Sequence, residues 1–569
     1  MRSRYTAPIV GAIAILLVVG LLFWGIVGYW QDADDRFWQW LTESFWGRGL
    51  FPNGWNLFGM SPWAYLLIGI SAGVVAFFKW ERTGYSSSHW GRDLAPMKTG
   101  NSVVAYVAAG LSALLIVSSV VIWFASLDDR SQSYESDTRF VVADQDQLNT
   151  NLQRLDSQFI DEGTYSQAWE PRAASATGAK TVMKRTSSSD SGNQLLLDTM
   201  TYTYGTTPGW TAIRDGKKKQ PLYGVAFWPG QGNVSTCRFT GDYNLTKSLH
   251  GKMGNNLLDE IAAYNKSLFF DEQDMWGYCK PAGDPNKVDD DQPVLVIPVK
   301  TWDGYGHRTT WYSGGVLTIT GSSSGKAQIQ HIDNVTPNQF PGPVYSISLA
   351  ANQRQETQWM AGKWNKWFRD FGYATTDVES QAGNTSEFLL KSKSDGRLYW
   401  VTPLTARGSD SQLVTAYSLI RADKATSGKF NGLRIYVLAS DDPRIVNLDD
   451  LEARTRQAIS EEDSGFFAAK GKLVEFLPLD DKNWQVYAEL GGRVVYRITV
   501  PADSRIRPKV TSLDGIDETP VEEDTDPVSP NQGGVTGSAC VAELNKLSDA
   551  QLATCLTDIA SELQRRQKK

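Results

Sequence analysis

The sequence predicts a membrane-anchored α+β protein: three N-terminal transmembrane helices, then tandem extracytoplasmic modules of one helix plus an antiparallel meander, then a small C-terminal helical hairpin. Three observations lead there. Long apolar stretches occupy residues 7–30, 62–78 and 103–124, each close to the roughly 20 residues that cross a bilayer core as a helix. Beyond residue 125, short apolar runs alternate with polar, glycine-containing turns. Within that region a helical stripe followed by several strand-like runs occurs three times, and such a unit buries one face of each element.

Residues 1–125 form the expected membrane region. Arg2 and Arg4 precede the first apolar run, which continues through Phe23, Trp24 and Tyr29 without a small-residue cleavage site, so it reads as a retained anchor. Lys79, Arg82, Arg92 and Lys98 lie between the second and third runs, whereas Asp128 and Asp129 follow the third. By the positive-inside rule the N-terminus is cytoplasmic and the large C-terminal body extracytoplasmic, in a multi-pass cell-membrane protein. The loop 31–61 carries Phe37, Trp38, Trp40, Phe45, Trp46 and Trp55, amphipathic rings that favour the headgroup layer. Gly69 and Gly73, like Ala105, Ala109 and Ala113, have the small-xxx-small spacing of close helix packing. The centres of the runs hold no ionisable residue, which argues against a transporter or pump.

Residues 126–176 read as a stalk. The first α+β module, 177–340, has Leu257, Ile261, Tyr264 and Leu268 on one helix face, with strands at 195–204, 222–227, 294–299, 316–320 and 327–332. The second, 341–442, places Met360, Trp364, Trp367, Phe368 and Phe371 at helical spacing before Gly372, and strands at 387–390, 398–402, 413–420 and 433–438. In the third, 443–513, Asn447 caps a helix bearing Leu448, Leu451, Ala458 and Ile459. Strands at 473–477, 484–490 and 494–500 follow, the last two joined by Gly491-Gly492. Residues 514–538 are acidic and Pro/Gly-rich, as in a disordered linker. Ser548-Asp549-Ala550-Gln551 resembles a capping box inside the helical hairpin 539–569.

The four cysteines, Cys237, Cys279, Cys540 and Cys555, all lie in the expected outer portion. An even count there points to disulfides in an oxidising compartment, and proximity favours Cys237–Cys279 and Cys540–Cys555 among the three possible pairings.

Other patterns carry little chemistry. Gly321-Ser322-Ser323-Ser324-Gly325 matches the letters of a nucleophile elbow, but a strand follows where a helix is required. Asp284, Asn286, Asp289, Asp290 and Asp291 lack the spacing of a helix-loop-helix calcium site. Four histidines in 569 residues leave little material for a histidine metal centre or triad. A formal charge of −7 does not suit a nucleic-acid-binding body. The sequence thus yields no catalytic, cofactor-binding or metal residue.

The function expected is a non-enzymatic scaffold or binding protein of a bacterial or bacteriophage-encoded envelope. Its partners would be the lipid bilayer, a protein or envelope polymer held by the outer body, and a second copy if it is a homo-oligomer. The layout is similar to that of membrane-anchored scaffold proteins of bacterial conjugation machines, which place cystatin-like modules beyond an anchor. That likeness is architectural, and three spans depart from a single anchor. A membrane-anchored surface hydrolase acting on wall polymer or peptide, or a component of a conjugation-like or secretion-like assembly, are the alternatives.

Overall fold

The computed structural model describes residues 134–513 except 145–147, 149–151, 188–192, 217–219, 252–254, 266–267, 282–290, 304–309, 376–386, 409–412 and 492, together with residues 69, 107, 109–118 and 121. In chain order, β1 (Thr138–Val142) and β2 (Ile160–Glu162) precede helix α1 (Ala176–Ser187). Next come β3 (Asn193–Tyr204), β4 (Pro208–Gly216), β5 (Gly224–Trp228), β6 (Ser235–Arg238) and α2 (Leu257–Tyr264). Strands β7 (Trp276–Lys280), β8 (Gln292–Asp303), β9 (Thr310–Thr320), β10 (Gln328–Ile332) and β11 (Asn334–Val335) lead to α3 (Ile347–Glu356) and α4 (Lys363–Arg369). Then follow β12 (Tyr373–Thr375), β13 (Phe388–Lys391), β14 (Leu398–Ala406), β15 (Leu413–Val414), β16 (Ala416–Arg421), β17 (Ala425–Thr426), β18 (Leu433–Val437) and β19 (Val446–Asn447). Helix α5 (Leu448–Glu462) and the meander β20 (Lys472–Pro478), β21 (Asn483–Leu490), β22 (Arg493–Pro501) and β23 (Lys509–Ser512) close the described body.

The expected fold class is overturned. Strand makes up 41% of the structure against 24% helix, and no helix among the described residues is long and apolar enough to cross a membrane. The apolar run 7–30, the aromatic loop 31–61 and all of 62–78 except Gly69 lie outside the described residues, as do the linker 514–538 and the hairpin 539–569. Tandem local modules fail for a topological reason. The largest sheet has seven strands in the order β12-β14-β16-β18-β1-β2, with β13 also on β14. Strand β1 runs parallel to both β18 and β2, so Thr138 faces Leu433 across the ladder and Phe140 faces Ile160. Residues read as a stalk therefore sit inside a sheet built mainly from the chain's second half.

That sheet is central. Leu389, Leu398, Trp400 and Ile420 enter one hydrophobic core, and their alternates Phe388, Leu390, Val401 and Leu419 enter another. The period of two sends successive side chains to opposite faces, and both faces are covered. One face meets α1, through Ala179 and Met183, and the aromatic residues of β3 and β4. The other meets α5 and the β20–β23 meander. Helix α5 starts where the Asn447 side chain accepts from the Asp449 and Asp450 amides, and it buries Leu448, Leu451, Thr455 and Ile459.

The antiparallel sheets β3-β4-β5-β6 and β10-β9-β8-β7 share a further core with α2, through Ile213, Val225, Leu257, Ile261, Leu295 and Leu317. Between them runs the disulfide Cys237–Cys279, from β6 to β7. Cys237 is fully buried.

Helix α4 departs from its expected role. Gly362, at φ 87°, breaks the chain before it, and Asp370, at φ 46°, ends it. These left-handed residues rotate the helix relative to its neighbours, so the five-residue stripe splits. Phe371 is fully buried and Met360 packs on the core, whereas Trp364 and Phe368 are 72% and 69% exposed.

Candidate functional site

A cavity of about 670 Å³ opens where four stretches of chain meet. The tight β3–β4 turn contributes Thr206 and Thr207, β7 contributes Tyr278 and Lys280, the segment after β11 contributes Phe340, and Asp423 follows β16. Backbone bonds fix these pieces. The Tyr204 amide donates to the Pro341 carbonyl (2.6 Å), and the Trp276 indole to the Pro343 carbonyl (2.8 Å). Gly342 lies on the Trp276 ring, where a Cβ would come within 2.8 Å of it, so only glycine permits this approach.

Two aromatic rings form one wall. Tyr278 and Phe340 meet edge to face, with centroids 6.4 Å apart. Burial raises the Tyr278 phenol above its ordinary pKa, so it stays a neutral donor and acceptor. Asp423, 4% exposed, also lines the cavity, and its Oδ1 accepts from Arg421 Nε at 2.7 Å. Its Oδ2 is buried with no hydrogen-bond partner. An unsatisfied buried carboxylate oxygen is costly and calls for a donor. Lys391, also on the rim, pairs with Glu170 at 3.0 Å. Cys279 lines the floor, so the disulfide anchors the strand that carries Tyr278.

A second cavity of about 290 Å³ lies among Arg172, Tyr202, Asp274, Glu387 and Glu475. Arg172 reaches Glu475 and the Leu389 carbonyl, and its guanidinium covers the Trp210 ring at 5.1 Å. Glu387 pairs with Arg354, whose burial pulls its pKa down to about 9. Asp274 accepts from Ser346 Oγ (2.6 Å), the Ile347 amide (2.7 Å) and Ser348 Oγ (3.0 Å), yet burial holds its pKa above the usual carboxylate value.

Nearby, Lys300 Nζ donates to Ser348 Oγ at 3.1 Å. Lys300 Nζ also pairs with Asp271, and the Ser348 hydroxyl donates to Asp274, so these bonds tie α3 to β8. Ser322, from the elbow-like pentapeptide, sits in the loop between antiparallel β9 and β10 and donates to the Lys326 carbonyl at 2.8 Å. Among the described residues no group of three or more His, Cys, Asp or Glu is placed to hold a metal ion.

Of the residues singled out from sequence, Cys237 and Cys279 are joined, with Cα atoms 5.8 Å apart. Cys540, Cys555, Phe37, Trp38, Trp40, Phe45, Trp46 and Trp55 lie outside the described residues. Sequence reasoning missed Tyr278, Phe340 and Asp423. They are far apart in the chain and follow no shared periodicity, and no local signal marks them.

The run 103–124, read from sequence as a span, leaves an apolar row exposed among its described residues. In the run 103–124, Val107, Leu111, Leu114, Val117 and Val121 recur at helical spacing and are 51–64% exposed. Its other side meets Gly69: Ser112 Oγ donates to the Gly69 carbonyl at 2.6 Å, and a Cβ on Gly69 would lie 3.1 Å from Ile116. That contact is the close approach expected of a small residue.

No family model, curated protein or solved structure matches this chain.

Proposed function

We propose that this chain is a non-enzymatic binding protein of a bacterial or bacteriophage-encoded envelope. In this reading it is held at the membrane with its β-rich body outside the cytoplasm, and the body grips a wall glycan. The observation that carries the reading is the cleft. Sugar rings pack on aromatic faces such as Tyr278 and Phe340, their hydroxyls donate to an acceptor such as Asp423 Oδ2, and Thr206 and Thr207 line the same cleft. The Cys237–Cys279 disulfide supports an oxidising compartment. The exposed stripe from Val107 to Val121 supports contact with lipid, because a row of apolar side chains of that extent is rarely left in water.

The test is calorimetric titration of the full chain in detergent with soluble wall-glycan fragments. Saturable binding that weakens about tenfold in Phe340→Ala and in Asp423→Asn supports the reading. Absence of binding by the wild type would refute it. Progressive shortening of the fragments, abolished by a single carboxylate or serine substitution, would make the protein a wall hydrolase instead.

A further inference from the structure

Helix α4 presents an aromatic and basic surface that the cleft does not use. Trp364 and Phe368, one turn apart, stack at 5.2 Å with their planes 20° apart, and both face solvent. Trp367 is 39% exposed and meets Trp359 edge to face at 6.2 Å, while Lys366 Nζ stands 5.0 Å over the Trp359 ring. Lys363 and Arg369 flank the rings at the two ends of the helix. Toward the end of this helix Lys366 and Arg369 precede one carboxylate, Asp370. The Asp370 side chain lies against Gly408, and its charge acts on Arg407.

Burying these rings was open to the fold. The spacing of Met360, Trp364, Trp367, Phe368 and Phe371 suits one core-facing stripe, but the left-handed residues Gly362 and Asp370 turn the middle three outward. Large apolar side chains presented outward together mark a contact surface. Interleaved Trp, Phe, Lys and Arg fit one environment best. The rings sit at the level of lipid headgroups, and the cations meet anionic phosphates above them.

We infer that α4 is a membrane-contact element: Trp364, Trp367 and Phe368 insert into the headgroup layer of an anionic bilayer, while Lys366 and Arg369 pair with its phosphates. This site is separate from the apolar run 103–124. It gives the β-rich body its own hold on the lipid surface, and it does not depend on what the cleft binds.

Photocrosslinking of the full chain tests this locally. The chain carries Phe368→p-benzoylphenylalanine and is reconstituted in vesicles of equal parts phosphatidylcholine and phosphatidylglycerol. A control carries the same group in place of Ile506, which is 55% exposed elsewhere on the body. Irradiation should attach one phospholipid at position 368 in large excess over position 506. The yield should fall roughly fivefold when Lys366→Gln is added, the effect of one cation near an anionic surface. Vesicles of phosphatidylcholine alone should give a similarly reduced yield. Equal lipid adducts at both positions, no lipid adduct at 368, or an adduct with a second copy of the chain would each overturn the inference. Trp364→p-benzoylphenylalanine gives an independent reading, should the first substitution disturb α4.

Discussion

Arg172 Nη1 and Glu475 Oε1 meet at 3.1 Å, with side chains only 6% and 3% exposed, although 303 residues separate them. Glu475 takes φ 53°, in the left-handed region, at the bulge where the β20–β21 register shifts between Val474 and Phe476. The bulge aims its carboxylate inward at a cation supplied by the segment before α1. That cation also bonds the Leu389 carbonyl of β13, while Tyr487 of β21 donates to the Arg172 carbonyl at 2.6 Å. One arginine therefore joins the central sheet to the C-terminal meander. Removing one partner strands a buried charge, so Glu475→Ala is expected to cost about 3–5 kcal/mol. The double change Arg172→Met, Glu475→Leu should recover most of that loss in urea unfolding. A double variant as unstable as the single one would show that the bulge, not the charge, sets the cost.

Asp274 gives stability a pH dependence. Burial raises its folded pKa above the ordinary 3.8, with the Ser346 hydroxyl bond opposing. A raised carboxylate binds more protons folded than unfolded, so its contribution is fully present below about pH 4 and fades as pH climbs through the folded value. Asp274→Asn mimics the protonated form. Its stability relative to wild type should therefore improve steadily as pH rises above about 4, read from urea midpoints. A pH-independent difference would place the Asp274 ionisation outside this window.

The disulfide closes a loop of 42 residues. By loop entropy, Cys237→Ala with Cys279→Ala should cost about 4 kcal/mol. Since Cys279 also lines the cleft, the proposed glycan binding should weaken with it. Non-reducing peptide mapping of the wild type should recover the Cys237 and Cys279 peptides linked.

Two glycines separate backbone strain from crowding. Gly428, at φ 73°, has open space where a Cβ would go, whereas Gly315, at φ 85°, would place one 2.2 Å from the Ile332 carbonyl oxygen. Gly428→Ala should cost about 1 kcal/mol and Gly315→Ala about 3 kcal/mol or more, measured by thermal unfolding. Equal costs would show that β9 shifts freely away from β10.

Local features were legible in the sequence. The Asn447 cap, the stripe Leu448, Leu451 and Ile459, and the β21–β22 turn at Gly491 all lie within a few residues of their partners. Periodicity found strands but not their neighbours. Nothing near Thr138 announces a parallel partner at Leu433, because parallel pairing leaves no turn signal. The stripe of α4 misled for a different reason: spacing reports which side chains share a face, not whether that face turns inward. The cleft was hidden because Thr206, Tyr278, Phe340 and Asp423 come from four unlinked stretches.

The parallel pairing of β1 with β18 also sets an order of events during synthesis. About 295 residues separate Thr138 from Leu433. At ~5–20 residues per second, β1 leaves the ribosome roughly 15–60 s before its second neighbour, β18, exists. Through that interval β1 exposes an unpaired, apolar edge that any other strand can occupy. Truncated chains ending before β18 leave that edge of β1 permanently open and should be the ones that aggregate.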